Sequence, residues 1–194
     1  VSAVPASQLL KIARNVNTQG IVADVDDFAY VPYAELLELA VSKHLVLVFL
    51  DGIMDPQNLG AILRSLGCLG NFAVILPTKD SVSVTEAVLR VASGGENYVK
   101  VSQVSNLAQA IVKAKDAGFW IAGSIVEDGE ELFSAQLQFP LGLVLGSEQK
   151  GIRDVIKKLV DLKVTIPMNQ SRMSFNVAQA ATIFAYEITK QKKR

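Results

Sequence analysis

The sequence predicts an α/β protein: a mostly parallel sheet flanked by helices. Three observations carry that prediction. From Leu45 onward, short apolar runs alternate with segments of helical period, the pattern of parallel strands joined by crossover helices. The apolar runs are nearly continuous instead of alternating with polar residues, as strands buried on both faces require. Half of the 194 residues are hydrophobic and the mean hydropathy is +0.31, yet no apolar run approaches the roughly 18 residues of a membrane span. A doubly covered sheet absorbs that excess, and an apolar subunit interface would take the rest.

Taken in order, residues 1–44 differ from the remainder. Pro5 to Arg14 reads as a short helix carrying Leu9, Leu10 and Ile12, Gly20-Ile21-Val22-Ala23 as a brief extended run, and Tyr33 to Val41 as a second short helix. These pieces are too small for a core of their own, so 1–44 reads as a linker or the tail of an upstream domain and 45–194 as the main domain. Strands are expected at Leu45–Leu50, Phe72–Leu76, Phe119–Ala122, Leu141–Leu145 and Val164–Ile166. Helices are expected at Asn58–Cys68, Val84–Ala92, Leu107–Ala117, Ile152–Leu159 and Ser174–Lys190, the third of them capped by Ser105 or Asn106. In the last helix Val177, Ala180, Ala181, Phe184 and Ile188 recur at helical spacing and form one apolar stripe. Gly70, Gly118 and the Gly94-Gly95 pair mark helix-to-strand turns.

Nineteen basic and nineteen acidic residues cancel, which argues against bulk attraction to nucleic acid. The distribution is uneven. From Lys150 onward ten basic residues, among them Arg153, Lys157, Lys163 and Arg172, face three acids, whereas residues 1–44 lean acidic. A basic end attracts phosphate locally, although the Lys190–Arg194 tail reads more simply as a solvated chain end. The single Cys68 excludes an internal disulfide and permits a reducing compartment. One cysteine and one histidine, His44, argue against a zinc site, and both read as structural. No metal is expected. No signal peptide is visible, which gives a cytoplasmic expectation. The glycine fingerprint of dinucleotide-binding folds and the Walker A loop are both absent.

Three segments lie just past expected strand ends. The first runs Asp55-Pro56-Gln57-Asn58-Leu59-Gly60 to Arg64. The second is Gly146-Ser147-Glu148. The third is Ile166-Pro167-Met168 followed by Ser174-Phe175-Asn176. Ligands of open parallel sheets bind outside the carboxyl ends of the strands, so Asn58, Arg64, Glu148, Ser174 and Asn176 are expected to converge on one crevice. Pro56 stiffens its turn, Asn58 suits an N-cap and Gly60 permits close backbone approach. Arg64 is a donor-only, permanently charged fork suited to phosphate or a developing oxyanion; its bland role is a surface ion pair. Glu148 can hold Arg64 or a ligand amine, or serve as an acid at a helix N-terminus. Ile166-Pro167-Met168 suits the wall of an adenine pocket, or simply a strand ended by proline. Ser174 is a natural N-cap, and Asn176 can make several directed hydrogen bonds.

These segments resemble the signature motifs of the SpoU (TrmH-type) RNA ribose 2′-O-methyltransferases of the SPOUT superfamily, over about residues 45–190. Within it the chain most resembles the branch that modifies a guanosine of 23S rRNA, because Pro5 to Val41 looks like the linker following that branch's small RNA-binding domain, itself absent here. The resemblance implies a SPOUT fold with a C-terminal deep trefoil knot. It implies S-adenosylmethionine bound in that knot, contacted by Gly146, Ile166 and Phe175, with Ser124 and Met168 as further cofactor positions. It implies a homodimer through the knot and last helix, using the apolar stripe around Phe184, and RNA as partner, rRNA before tRNA. The reaction implied is attack of a ribose 2′-oxygen on the sulfonium methyl. Arg64 would stabilise the alkoxide, Asn58 and Asn176 would position RNA and Arg64, and Glu148 would orient the cluster, with Ser174 as a further member. Three residues depart from the pattern near the cofactor: Gln149 and Gln170 where glycine is frequent, and Phe175 where leucine is usual. If those glycines serve a special backbone conformation, the loop is reshaped. A catalytically silent RNA-binding SPOUT protein and an α/β enzyme for a small nucleotide are the competing readings.

Overall fold

In a computed structural model, which describes residues 1–13, 18, 20–23, 26–169 and 173–192, the strands form one seven-stranded sheet in which every pairing is parallel. Strand β1 (Val46–Asp51) lies between β2 (Phe72–Pro77) and β6 (Leu141–Gly146). Beyond β2 comes β3 (Lys100–Val104). Beyond β6 come β4 (Trp120–Ser124), β7 (Leu162–Thr165) and the two-residue β5 (Glu130–Glu131). From β1 the chain moves toward β2, whereas from β6 it moves the opposite way toward β7. The boundary between β1 and β6 is therefore a topological switch point, where such sheets open a ligand crevice at the strands' carboxyl ends.

The apolar runs form strands because helices cover both faces. All six residues of β1 are buried. Val46, Val48 and Leu50 face a layer of α3 (Pro56–Leu69), α4 (Glu86–Ala92) and α7 (Val177–Lys192). Leu47 and Phe49 face α2 (Tyr33–Ser42), α5 (Leu107–Asp116) and α6 (Asp154–Lys157). This two-sided burial accounts for the missing alternation.

The five expected strands are all present, shifted by one or two residues. Two strands lacked a sequence signal. In β3 only Val101 and Ser102 are fully buried, and both residues of β5 are exposed, so neither makes an apolar run. Asn106, of the two candidates, caps α5 by accepting from Gln109 N–H at 3.1 Å. Helix α6 is shorter than expected because Arg153 stays extended (φ −61°, ψ 145°), held by hydrogen bonds to Asp51.

Helix α7 starts at Val177, not Ser174. Asn176 is its cap, with Oδ1 accepting from Ala178 N–H at 2.9 Å and the carbonyl accepting from Ala180 N–H. The apolar stripe expected at a subunit interface is not available for one: Ala181, Phe184 and Ile188 are each 1% exposed and pack into the protein's own core.

In the first 44 residues, α1 (Ala6–Ile12) buries nothing, and residues 20–23 form no strand; Arg14 lies outside the described residues. From Phe28 onward the chain is fastened to the sheet. Phe28 and Tyr30 meet edge to face at 5.2 Å, Tyr30 Oη accepts from Val84 N–H at 2.7 Å, and Val31 N–H donates to the Val101 carbonyl at 2.9 Å. Tyr33 Oη donates to the Ala110 carbonyl at 2.6 Å, and burial pushes its hydroxyl well above the ordinary tyrosine range. Leu36 and Ala40 are fully buried. His44 serves the turn into β1, where its carbonyl accepts from Lys192 Nζ, while Cys68 lies exposed on α3.

Candidate active site

The site begins where β1 ends. Beyond Asp51 the chain turns into α3, whose cap is Asp55: its Oδ1 accepts from Gln57 N–H at 2.9 Å, and Pro56 takes the first helical position. Pro belongs there because its missing N–H would be unpaired anyway and its φ is already helical. Asn58 is therefore inside the helix and not its cap, which frees its side chain. Its Nδ2 donates to Glu148 Oε1 at 3.3 Å, and its Oδ1 accepts from Asn176 Nδ2 at 2.8 Å. Asn176 Nδ2 also donates to Glu148 Oε1 at 2.5 Å, and that same oxygen accepts from Val177 N–H at 3.2 Å. The carboxylate thus closes the N-terminus of α7, where negative charge is favourable. Three of the five expected catalytic residues converge here from segments 90 and 118 positions apart.

Ser174 lies in the loop before α7 and lines the adjoining cavity. Arg64 does not join the cluster. Six helical positions turn it roughly two-thirds of a revolution away from Asn58. It is exposed beside the turn Gly95–Asn97, where an added Cβ on Gly95 would lie 2.7 Å from Arg64 Cα. Among the described residues Arg64 has no hydrogen bond or ion pair, so the expected Glu148–Arg64 pairing is replaced by Glu148's bonds to Asn58, Asn176 and the α7 backbone.

A cavity of about 520 Å³ opens at the carboxyl ends of β4, β6 and β7, within the roughly 300–1,000 Å³ typical of small-molecule sites. Ser124, Gly146, Ile166, Met168 and Phe175 all line it. Gly146 is obligatory there: a Cβ would lie 2.1 Å from the carbonyl carbon of Gly151 and 2.3 Å from Ile152 N. The turn Ser147–Gly151, closed by Gly151 N–H donating to the Ser147 carbonyl at 2.8 Å, folds back onto it. The left-handed position in this turn is Gly151 (φ 62°); Gln149 is not among the residues of positive φ. Glutamine at 149 therefore needs no glycine-like backbone. Gln170 and Arg172 lie outside the described residues.

A second cavity, about 420 Å³, lies across the same turn. Residues Ser147–Gly151 and Val177 line both cavities, and Asn58 lines only the second. At its base is a pair that sequence reading missed. The Asp51 side chain is fully buried; its Oδ1 accepts from Arg153 Nε at 2.7 Å and its Oδ2 from Arg153 N–H at 2.9 Å. An acid closing an otherwise apolar strand was the one available signal. Nothing in the sequence pointed to Arg153, 102 positions on.

Fold and site together define a parallel α/β protein with two cavities at the carboxyl ends of its strands and an amide–carboxylate cluster whose Glu148 lines both. The chain belongs to the SpoU rRNA methylase family, whose pattern matches residues 45–186. It is 37% identical over 194 residues to an uncharacterised tRNA/rRNA methyltransferase of Synechocystis, covering 99% of this chain and 50% of that protein. It is also 37% identical over 182 residues to the 23S rRNA (guanosine-2′-O-)-methyltransferase RlmB of Shewanella oneidensis, covering 93% and 74%. Among solved structures it is similar to the SpoU methyltransferase AviRb of Streptomyces viridochromogenes, in complex with the cofactor AdoMet, with TM-score 0.70, 27% identity, and coverage of 77% of this chain and 61% of that one. The chain thus spans half the length of the Synechocystis relative. Among the described residues no cluster of potential metal ligands occurs, and no helix is long and apolar enough to cross a membrane.

Proposed function

We propose that this chain carries the catalytic site of an S-adenosylmethionine-dependent RNA methyltransferase acting on a ribose 2′-hydroxyl, with a guanosine of 23S rRNA as target. The observation that carries this reading is the Asn58–Glu148–Asn176 cluster, whose Glu148 lines a cavity together with Ser124, Gly146, Ile166, Met168 and Phe175. The RlmB relative supports the rRNA guanosine; tRNA is the competing substrate. An RNA substrate goes with a cytoplasmic location.

The cavity suits S-adenosylmethionine chemically. Leu145, Ile166, Met168 and Phe175 offer apolar walls for an adenine, and Glu127 and Asp128 offer acceptors for hydroxyl or ammonium groups. Bound there, the cofactor supplies an electrophilic sulfonium methyl. The protein supplies alignment and electrostatics. Glu148 Oε2 and the second amide hydrogen of Asn58 carry no bond among the described residues, so the cluster keeps one acceptor and one donor for an incoming ribose. Arg64 is a donor-only guanidinium and so a poor base; it acts by stabilising the developing alkoxide while the proton passes to water or a neighbouring phosphate.

Because Arg64 lines neither cavity of its own chain, this role goes with a homodimer. Helices α3 and α7 are tied by Thr182 Oγ1 and Ser65 Oγ at 2.8 Å. Arg64 and Cys68 on α3 and Tyr186 on α7, 65% exposed, mark their outer surfaces. In such a dimer the cluster would take its arginine from the second copy. Ile166 and Met168 after β7, and Ser174 and Phe175 before α7, line one cavity with the 147–151 turn, an arrangement that supports the trefoil knot. Residues 1–44 are read as the linker from an RNA-binding domain. Incubation with methyl-labelled S-adenosylmethionine and 23S rRNA or tRNA tests the reading: label on a 2′-oxygen supports it. Cofactor-independent RNA binding without transfer would favour the silent reading, to which the bulk of Phe175 in the cavity lends support.

A further inference from the structure

The second cavity has no part in the mechanism above, yet it shares a wall with the first and holds Asn58 and Glu148 at its edge. Resting on the methyltransferase reading, we infer that it receives the base of the target nucleotide and reads guanine through Arg153. A ribose held at the Asn58–Glu148–Asn176 cluster sits at the junction of the two cavities. With the cofactor in one, the other is the space left for the base.

The lining sets the chemistry. Arg153 is aimed by a carboxylate that has no exposure of its own: Asp51 takes the backbone N–H and Nε of Arg153. The two Nη groups carry no bond among the described residues, and the side chain is half exposed where it lines the cavity. The result is a fixed donor fork, with Lys150 as a further donor. Acceptors come from Asp80, which has no partner among the described residues, and from Asp55, whose Oδ1 alone is used by the α3 cap. Four carboxylates (Asp51, Asp55, Asp80, Glu148) face two cations, which disfavours a phosphate as occupant. A neutral ligand with donors on one edge and acceptors on another fits.

Among RNA bases that description selects guanine. Its O6 and N7 are adjacent acceptors matched to an arginine fork, whereas adenine offers one acceptor and one donor at the same edge and cytosine a donor. Guanine N1–H and N2–H₂ then face carboxylate acceptors. Unpaired RNA bases are read on these edges when splayed out of a strand.

The test uses the full chain saturated with S-adenosylhomocysteine, and short single-stranded oligouridines carrying one central guanosine, adenosine or cytidine, or none. Dissociation constants come from fluorescence anisotropy. The guanosine oligomer should bind about tenfold tighter than the others, the discrimination expected of one bidentate pair. Arg153→Lys, which keeps a cation beside Asp51 but loses the fork, should erase that preference without changing S-adenosylhomocysteine affinity. Asp80→Asn, at an exposed position away from the Asp51 pair, should reduce it severalfold and carries the test if Arg153→Lys does not fold. Equal binding of all four RNAs, no RNA binding, preference for another base, or a guanosine preference unchanged by these variants overturns the base pocket. Loss of S-adenosylhomocysteine binding by the unmodified chain would instead overturn the methyltransferase reading, so the two failures are distinct.

Discussion

The Asp51–Arg153 pair makes an asymmetric prediction. The carboxylate is fully buried whereas the arginine side chain is 50% exposed, so the two single truncations leave different orphans. Arg153→Ala strands a buried charge, a situation that costs about 3–5 kcal/mol; the surviving backbone N–H bond to Oδ2 places the expected loss near 3 kcal/mol. Asp51→Ala removes the buried charge and leaves an arginine that water can solvate. Its cost is that of charge-assisted hydrogen bonds, about 2 kcal/mol. The double variant should resemble Asp51→Ala alone, because Arg153→Ala has nothing left to strand. Urea unfolding reads all three. With a slope of roughly 2 kcal/mol/M, the midpoint should fall by about 1.5 M for Arg153→Ala and about 1 M for the other two. Additive losses in the double variant, or a larger loss for Asp51→Ala than for Arg153→Ala, would refute this reasoning.

Other outcomes follow from the same geometry. Gly146→Ala drives a methyl into the Gly151 backbone at 2.1 Å; it should cost about 3 kcal/mol by overpacking and remove S-adenosylhomocysteine binding, while unaltered affinity would show that the 147–151 turn does not shape the cavity. Arg64→Ala, on an exposed helix position, should abolish methyl transfer with cofactor affinity unchanged within about threefold, since no cavity contact is lost; retained turnover removes Arg64 from the mechanism. Tyr33→Phe should cost about 1 kcal/mol at neutral pH through the lost bond to Ala110. Burial raises the Tyr33 pKa, so its contribution is present in full below about pH 10, the unfolded value, and declines as pH rises above it. The wild-type advantage over Tyr33→Phe in thermal unfolding should therefore shrink on the alkaline side, and growth of that advantage would contradict the assignment.

The buried strands were legible because doubly covered strands must be apolar, and those runs appear where β1, β2, β4 and β6 stand; β7 buries only Val164 and was legible through the short run Val164–Ile166. The cluster was legible because Asn58, Glu148 and Asn176 are polar residues placed just beyond strands, where a parallel sheet opens. Errors arose where two residues compete for one local role. Asp55 and Asn58 are both natural caps, and Pro56 at the first helical position decides for Asp55. Ser174 and Asn176 compete likewise, and Asn176 wins because it directly precedes Val177, the first buried residue of α7. The stripe around Phe184 was legible as apolar, but periodicity cannot say whether an apolar face meets its own sheet or a second chain. Arg64 was assigned to the crevice by its motif, although six helical positions carry it off the face of Asn58. Asp51 and Arg153 meet only through the tertiary fold, 102 positions apart, beyond the reach of any local pattern.

The central claim is that the cavity under the 147–151 turn is a cofactor site. Calorimetric titration of the purified chain with S-adenosylmethionine and S-adenosylhomocysteine tests it most directly. Micromolar binding of both at one site per chain, abolished by Gly146→Ala, is the expected result. A folded chain that takes up neither, yet still binds RNA, would contradict it and leave the silent RNA-binding reading in its place.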